Sequence, residues 1–371
     1  MNYQKDYLEF IKKYNIIGST SIICDNKAIV HKATSGYLDF DKKIKTTIQT
    51  IYKIASISKI VVALGVMKLV EEKKLDLYED ISTYLGYKVR NPHFPNDIIT
   101  IEMLMTQTSS LADAGEGEKG YYGSCCGYID IPLKDLLVKE NNSPYYIDSV
   151  FSKNKPGTVW DYCNFGCGIL VCIVEKVTNE YFGKFIKDIL LNPLHIDGGF
   201  KLYDLEEIDL LATHYLYNKE NNTFINYRNY ETFNKYQSKI FNKGDNYTGY
   251  AGGLYISGSD LSKIMIMLMN DGTYNNLKLF DEATIKEMKK IHWQGSSYDN
   301  AYSKKGLQMV ILDRNDTTLY GHFGNACGLR SFMLFNNEKG IIFISNGANF
   351  ISDEDHLTIL LDEMINFMLN Y

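Results

Sequence analysis

Runs of apolar residues separate the chain into strand-rich ends and a helix-rich middle. Two β-rich runs, Ser19–Cys24 and Ala28–Ala33, flank the polar turn Asp25–Lys27 and predict a hairpin, after a first helix that ends near Asn15. The strand pattern returns after Gly252. The strands predicted there are Leu254–Ile256, Leu307–Leu312, Gly328–Phe335 and Gly340–Ser345, with a turn at 336–339 between the last two.

The range Leu75–Asp245 has mostly helical patterns joined by long polar connections. One helix is predicted to begin at Thr100–Met105, and a second, strongly apolar helix spans Phe165–Val177. The polar stretches Asn141–Lys155 and Asn218–Asn246 are expected on the surface.

A final helix is predicted from Asp355 to Tyr371, with Ser352 as its N-cap. Apolar residues recur along it at helical spacing, which predicts one buried face. The residues of that face are Leu357, Leu360, Leu361, Met364, Ile365 and Met368.

Strands at both ends with helices between them indicate the α+β class. We expect one antiparallel sheet flanked by helices and split by a helical insertion. The predicted division is an α/β domain formed by residues 1–74 and 246–371, and a mostly helical inserted domain at 75–245.

The stretch from Ser56 to Lys59 lies where a strand leads into a helix. Thr50–Ile54 alternates like a strand, and Ile60–Val70 is a nearly continuous apolar helix. A serine at a helix start faces free backbone N–H groups that stabilise an anion. A lysine three residues later returns to the same face, within reach of the serine hydroxyl. This is the arrangement that a Ser/Lys nucleophile needs.

The same spacing also occurs at Ser152 and Lys155, just before Pro156, where no helix is expected to start. For Ser56 and Lys59 the plain alternative is an N-cap serine beside a solvated lysine. The context of the motif must therefore decide between the two interpretations.

Two further elements carry candidate chemistry. A Pro156–Gly157 turn precedes Tyr162 and Asn164, which are suited to share a cleft as proton carrier and amide hydrogen-bonding group. The alternative is a packed aromatic ring and a helix cap.

In Tyr320–Gly328, three glycines permit the close backbone approach of an edge strand that lines a cleft. His322 is expected there either to bind substrate, to tune the neighbouring base, or to be structural.

Composition narrows the class of partner. The chain has 371 residues, 45% hydrophobic and 23% charged, with a net charge of −6. An acidic balance argues against nucleic acid and against an anionic membrane surface as the main partner. The N-terminus has no apolar signal core, and the longest apolar runs are too short to span a membrane. Seven cysteines without secretory context predict free thiols and a cytoplasmic location.

The cysteines leave two smaller questions open. Adjacent Cys125 and Cys126 would be strained if they were bridged. Cys163 and Cys167 lie four residues apart beside Tyr162, so a metal pair or redox control is conceivable, although no further ligand stands nearby in the sequence. Small core-filling thiols are the favoured interpretation, and we predict no metal site.

In this order and context, the three elements resemble the serine β-lactamase and penicillin-binding protein superfamily, whose Ser-x-x-Lys signature is catalytic. The class C β-lactamase-like branch, which also holds D-peptidases and esterases, shares most of the pattern. The resemblance covers roughly residues 15–370. The further matching segments are Tyr52–Lys59, Ile101–Leu111, Ala251–Tyr255 and Ser259–Leu261.

The resemblance implies a β-lactamase/transpeptidase-like fold with the active site between the two domains, and no metal or organic cofactor. It implies that Ser56 is the acylated nucleophile, that Lys59 accepts its proton, and that Tyr162 relays protons to the leaving group and activates water. Asn164 would hold the acyl-side amide of the substrate. The backbone N–H groups of Ser56 and Asn325 would hold the oxyanion.

The chain departs from this superfamily on the third element. Many β-lactamases and carboxypeptidases have Lys-Thr-Gly where this chain has His322, Phe323 and Gly324. Loss of the lysine and the threonine hydroxyl weakens recognition of a substrate carboxylate, and His-x-Gly resembles aminopeptidase and esterase members instead. The usual His-Thr-Ser-Gly-Leu is replaced by Gln107–Leu111, which we expect to affect packing.

The predicted function is that of a serine hydrolase acting on an ester, a small amide or a D-amino-acid peptide. His322, Gly324 and Asn325 are expected to bind the substrate together with Asn164. A true β-lactamase or DD-carboxypeptidase is the alternative within the class, and a non-catalytic binding or scaffold protein is the alternative outside it. Acyl transfer to an alcohol or amine and the oligomeric state stay open.

Overall fold

The computed structural model describes residues 2–122, 131–237, 242–296, 302–314, 316–348 and 359–371. Its strands are β1 (Ile16–Cys24), β2 (Ile29–Asp39), β3 (Ile44–Lys45), β4 (Ile51–Lys53), β5 (Gly115–Glu116), β6 (Gly198–Gly199), β7 (His214–Asn218), β8 (Thr223–Arg228), β9 (Tyr255–Ser257), β10 (Thr273–Tyr274), β11 (Leu277–Lys278), β12 (Trp293–Gln294), β13 (Lys304–Lys305), β14 (Val310–Arg314), β15 (Thr317–Ala326), β16 (Leu329–Phe335) and β17 (Gly340–Ala348).

The α-helices vary from one turn to four. They are α1 (Tyr3–Ile11), α2 (Ser58–Glu71), α3 (Ile81–Leu85), α4 (Ile101–Thr106), α5 (Leu133–Leu137), α6 (Asn164–Thr178), α7 (Phe182–Ile186), α8 (Tyr230–Gln237), α9 (Gly258–Met269), α10 (Glu282–Lys289) and α11 (Ile359–Leu369). Within the described ranges, none of them combines the length and apolar character needed to cross a membrane.

A nine-stranded antiparallel sheet unites the two ends of the chain. Its order is β12-β13-β14-β15-β16-β17-β1-β2-β3, so β1 lies between its hairpin partner β2 and the C-terminal strand β17. The predicted hairpin is confirmed, and the side chain of Asp25 accepts hydrogen bonds from the backbone of Lys27 and Ala28 in its turn. The predicted α+β fold with a large antiparallel sheet is also confirmed.

Both faces of the sheet are covered, because successive side chains of a strand point to opposite sides. In β17, Phe343 packs with α1 and α11, whereas Ile342 and Ile344 pack in the larger core that contains α2. Helix α2 is buried along nearly its whole length in that larger core, which explains its continuous apolar sequence.

The division into domains stays a prediction. Helices α3 to α8 lie within residues 75–245, but this segment also contains the hairpin β7–β8. Its second strand, β8, lies inside the stretch Asn218–Asn246 that was expected to be a polar connection. Strand β6 of the same segment pairs with β9, which lies beyond residue 245, in a small sheet with β4. Backbone pairing therefore connects the two segments.

Several predicted elements shift in the structure. The strand expected at Leu307–Leu312 begins only at Val310, because Gln308 has a left-handed backbone (φ 54°) that breaks the strand. In the final helix, Leu360, Leu361, Met364, Ile365 and Met368 are buried as predicted. The predicted N-cap Ser352, Leu357 and the pair Cys125–Cys126 lie outside the described residues.

Strand β15 is an edge strand over only half of its length. It lies between β14 and β16 in the sheet, so the expectation that Tyr320–Gly328 forms an edge applies only to the part of the strand after Gly321. Its pairing with β14 ends at Gly321, whereas its pairing with β16 continues to Ala326. Within the described residues, the half of β15 that holds His322 and Gly324 therefore has a strand on one side only.

Candidate active site

Ser56 stands in a tight turn between a strand and a helix. A 3₁₀ turn at Ala55–Ile57 leads directly into α2, so the serine lies just before the helix and not in its first turn. Ala55 has a φ of 54°, a conformation that costs a non-glycine residue free energy and clusters at functional sites. The hydroxyl of Ser58 braces the turn, since it donates to the Ala55 carbonyl at 2.6 Å and accepts from the Leu254 N–H at 3.0 Å.

Lys59 reaches back to Ser56 as predicted, and its side chain is fully buried. Its Nζ donates to Ser56 Oγ at 3.0 Å, to Asn164 Oδ1 at 2.8 Å and to the carbonyl of Ala251 at 2.9 Å. Three acceptors match the three N–H donors of an ammonium group. The orientation of Lys59 is therefore fixed from three sides.

Tyr162 and Asn164 converge on this pair from the start of α6. The Tyr162 hydroxyl donates to Ser56 Oγ at 2.7 Å, and the Tyr162 ring centroid lies 4.9 Å from Lys59 Nζ. The structure thus brings Ser56, Lys59, Tyr162 and Asn164 together. The alternative of Asn164 as a helix cap is wrong, because α6 begins at Asn164 and its N-cap is Cys163. The contacts of Tyr162 and Asn164 with Ser56 and Lys59 agree with the shared-site interpretation.

Asp113 is a site residue that the sequence analysis did not single out. Its carboxylate accepts hydrogen bonds from Asn164 Nδ2 at 2.7 Å, from the Asn164 N–H at 3.0 Å and from the Phe165 N–H at 2.8 Å. An anion at the N-terminus of α6 is stabilised by the free N–H groups there. The contact with Nδ2 also leaves Asn164 Oδ1 to face Lys59. The only sequence signal was that Asp113 follows the matched segment Ile101–Leu111.

Strand β15 runs beside the turn that holds Ser56. A Cβ atom on Gly324 would lie 2.6 Å from the Ile54 carbonyl oxygen and 3.4 Å from Ala55 Cβ, so only glycine permits this approach. Ser331 on β16 donates to the same Ile54 carbonyl at 3.3 Å. Asn325 follows Gly324 and is exposed.

His322 lies beside Tyr162, with the two ring centroids 6.4 Å apart, and has no exposed surface. Its Nδ1 lies 2.6 Å from the Phe323 carbonyl, so Nδ1 carries the proton and Nε2 has the lone pair. Among the described residues, Nε2 has no hydrogen-bond partner. Burial, together with the charges of Lys305 and Lys59, holds the pKa of His322 well below its usual range, so the ring is neutral at physiological pH. Direct contact with substrate stays a prediction.

Lys305 on β13 is the second residue that the sequence analysis missed. Its side chain is fully buried, with Nζ 5.3 Å from the ring centroid of Tyr302. Burial and the charge of Lys59 lower the pKa of Lys305 to about 7. The available signal was strand alternation: adjacent lysines at 304 and 305 must point to opposite faces of a sheet.

The cysteines beside Tyr162 are core residues in the structure. Cys163 and Cys167 are buried, and burial raises the pKa of both thiols, so they stay protonated. The Cys163 sulfur accepts from the Gly166 N–H at 3.3 Å and so serves as the N-cap of α6. Buried protonated thiols are poor metal ligands and slow to oxidise, which favours the core-filling interpretation.

The second Ser-x-x-Lys copy has none of this context. Ser152 lies in an irregular segment, where its N–H donates to the Ser110 carbonyl at 2.7 Å and its Oγ accepts from the Asn154 N–H at 3.3 Å. The helix that follows Ser56 therefore distinguishes the two copies, as the sequence analysis expected.

The similar solved structures share this fold. A penicillin-binding protein homologue from Pyrococcus abyssi, described as octameric, is 21% identical with a TM-score of 0.72, covering 93% of this chain and 73% of that chain. D-amino acid amidase from Ochrobactrum anthropi SV3 is 18% identical with a TM-score of 0.70, covering 99% of this chain and 95% of that chain. At such identities the likeness concerns the fold alone.

The sequence relatives match a shorter part of the chain than the similar structures do. Protein flp of Staphylococcus aureus (strain N315) is 29% identical over 190 residues, which cover 50% of this chain and 35% of that protein. The aligned part is thus about a third of the length of this relative. The Beta-lactamase family model, in contrast, matches residues 5–361 of the chain. Because that match extends over nearly the whole sequence, the protein belongs to the Beta-lactamase family.

Proposed function

We propose that this protein is a serine hydrolase that forms an acyl-enzyme with an ester or a small amide, D-amino-acid peptides included. The observation that carries the proposal is the pair of contacts at one hydroxyl: Ser56 Oγ lies 3.0 Å from Lys59 Nζ and 2.7 Å from the Tyr162 hydroxyl. A serine becomes nucleophilic when a positioned base takes its proton. Two proton-carrying groups at hydrogen-bond distance meet that requirement.

In the proposed acylation, Lys59 first transfers one proton to water and becomes a neutral amine. Its amine then accepts the Ser56 proton while Oγ bonds to the substrate carbonyl carbon. The bond from that carbon to the leaving oxygen or nitrogen breaks, and Tyr162 gives its proton to the leaving atom. Tyr162 recovers a proton from Lys59, which returns to the neutral form.

Deacylation uses the same groups with water as the nucleophile. Water loses a proton to this pair and attacks the acyl carbon, the bond to Ser56 Oγ breaks, and Oγ takes the proton back as the carboxylic acid leaves. The N–H groups of Ser56 and Asn325 are proposed to hold the oxyanion in both steps. The close approach of Gly324 to the Ile54 carbonyl supports this, because it brings β15 beside the serine turn.

Asn164 is proposed to orient the substrate amide, and His322 and Gly324 to line the same pocket. A small acyl donor is favoured as the partner, since one similar structure is that of a D-amino acid amidase with L-phenylalanine amide. Family membership supports the hydrolase class, whereas the substrate is part of the proposal.

The test is the intact mass of the protein after exposure to a fluorophosphonate, p-nitrophenyl esters, D-amino-acid anilides and β-lactams. The wild-type chain should gain one acyl or phosphonyl group, and Ser56→Ala should gain none. Ser152→Ala is the matched control, because it removes the serine of the second Ser-x-x-Lys copy, and it should label like wild type. Labelling that survives in Ser56→Ala would refute the proposal.

The same panel separates the alternatives. Fast nitrocefin turnover would assign a true β-lactamase, and release of a terminal D-alanine would assign a DD-carboxypeptidase. Absence of any adduct on a folded wild-type chain would favour the non-catalytic binding role.

A cytoplasmic location belongs to the proposal as well: the five described cysteines are unpaired, as a reducing compartment would keep them. Cell fractionation tests it.

A further inference from the structure

Lys305 is a buried cation for which the described residues supply no counter-charge. Its side chain has no exposed surface, and its Nζ has no hydrogen-bond partner among the described residues. Its neighbour Lys304 points to the other side of the strand and pairs with Asp313 at the surface. A buried ammonium without a partner is costly, so proteins rarely keep one at a position where packing alone matters.

The groups around Lys305 are those of the candidate active site. The Tyr302 ring, 5.3 Å from Nζ, packs against the rings of Tyr162 and His322 with centroid separations of 6.1 and 6.4 Å. Besides Tyr302, the described titratable groups that interact electrostatically with Lys305 are Lys59 from α2 and His322 from β15. Neither Lys59 nor His322 can carry a negative charge, so neither neutralises Lys305.

A charge shielded from water acts over several ångströms without direct contact, because little solvent screens it. Lys305 therefore adds a positive potential around the rings of Tyr162 and His322, next to Ser56. This potential attracts an anionic group on a bound substrate and repels a cationic one. Because His322 replaces a lysine, the sequence predicts weak recognition of a substrate carboxylate. Lys305 places another cation near His322, since β13 lies two strands away from β15 in the sheet.

We propose that Lys305 is a specificity-determining residue that favours acyl donors carrying a carboxylate over those carrying an ammonium group. The inference rests on the proposed function, since it concerns the substrate of the same site. Within the proposed substrate class, it makes free amino-acid amides, which carry an ammonium group, the less favoured members.

The preference depends on pH with a definite sign. Burial and the charge of Lys59 lower the pKa of Lys305 to about 7, so its positive charge is present below that pH and lost above it. Preference for the carboxylate substrate should be greatest near pH 6 and should fade as the pH rises above 8. A structural lysine with an ordinary pKa would produce no such change in this range.

The experiment compares p-nitrophenyl esters of phenylacetic acid that carry a 4-carboxylate, a 4-carboxamide or a 4-aminomethyl group. The rigid ring keeps the added group away from the ester, and acylation of Ser56 is followed by p-nitrophenol release and intact mass. For wild type at pH 6, the carboxylate ester should react about tenfold or more faster than the aminomethyl ester in kcat/KM. In Lys305→Met the ratio should fall toward one, and the carboxamide ester gives the reference rate for each variant.

Lys304→Met is the matched control, because it removes the neighbouring surface lysine, and it should keep the wild-type ratio. Lys305→Arg should keep the preference up to pH 9, since guanidinium stays charged. An unchanged ratio in Lys305→Met would overturn the inference. If that variant does not fold, a wild-type ratio that is constant from pH 6 to 9 would overturn it equally. A wild-type chain that neither esters nor fluorophosphonate label would instead disprove the proposed function.

Discussion

The amide of Asn164 has two orientations that differ in which end faces Lys59. The carboxylate of Asp113 accepts only, so it binds the Nδ2 end and leaves the oxygen for the lysine. Through this contact Asp113 acts on Lys59 although it touches neither Lys59 nor Ser56 in the structure. We regard Asp113 as a positioning residue.

Substitution Asp113→Asn should therefore lower kcat more than it raises KM. The lost charge-assisted hydrogen bonds predict a reduction in kcat of roughly 10- to 100-fold. The measurement is steady-state hydrolysis of the best ester from the panel, with thermal unfolding as a check on folding. The control is Asp161→Asn, which changes a carboxylate in the same region that forms none of these bonds. Equal losses in the two variants would contradict the assignment.

At the scale of elements, the site depends on how closely β15 approaches the turn that precedes α2. The turn is braced by Ser58 from inside and by Ser331 from β16. Ala55 holds a left-handed conformation between these contacts. A strained residue persists only where its surroundings over-determine it, so the position of β15 and the geometry of Ser56 are coupled.

Gly324→Ala tests this coupling. The added Cβ would lie 2.2 Å from Ser331 Oγ and 2.6 Å from the Ile54 carbonyl oxygen, so β15 must move away from the serine turn. We expect kcat/KM to fall at least about tenfold, with a smaller relative effect on folding. Gly183→Ala is the control, because a Cβ there meets open space within a helix and should stabilise it slightly. Wild-type activity in Gly324→Ala would show that the approach is dispensable.

At the scale of the whole molecule, the nine-stranded sheet separates two hydrophobic cores, one on each face. The core that contains α2 supports the candidate site, whereas α1 and α11 cover the opposite face. Since β1 joins β17, neither end of the chain completes the sheet without the other. One face of the sheet therefore packs beside the candidate site, and the other packs against the terminal helices.

A cavity on the far face should reduce stability and leave the chemistry intact. Ile365 on α11 is fully buried, so Ile365→Ala should lower the free energy of unfolding by about 2–5 kcal/mol. Urea unfolding measures this change, and the rate of Ser56 acylation per folded molecule should stay within twofold of wild type. Asn370→Ala, at an exposed position of the same region, should change stability by less than about 0.5 kcal/mol. A loss of acylation rate in folded Ile365→Ala would show that the two faces are coupled.

Short-range patterns in the sequence predicted the parts of the fold that depend on neighbouring residues. The hairpin β1–β2, the helices α2 and α6, and the contact between Ser56 and Lys59 all follow from strand alternation or from one helical turn. The same patterns failed where an element is short or polar, as for the hairpin β7–β8. Its strands pack on few apolar residues, so little periodicity marks them.

The tertiary structure alone decided which distant groups complete the site. Asp113 reaches Asn164 across 51 positions and Ala251 reaches Lys59 across 192, and no local pattern records such contacts. The sequence determined the candidate nucleophile and its base, because one turn of helix holds them together. The charges that surround this pair, among them that of the buried Lys305, depend on how β13 and β15 pack near α2. Burial and the distances between charges exist only after the chain has folded.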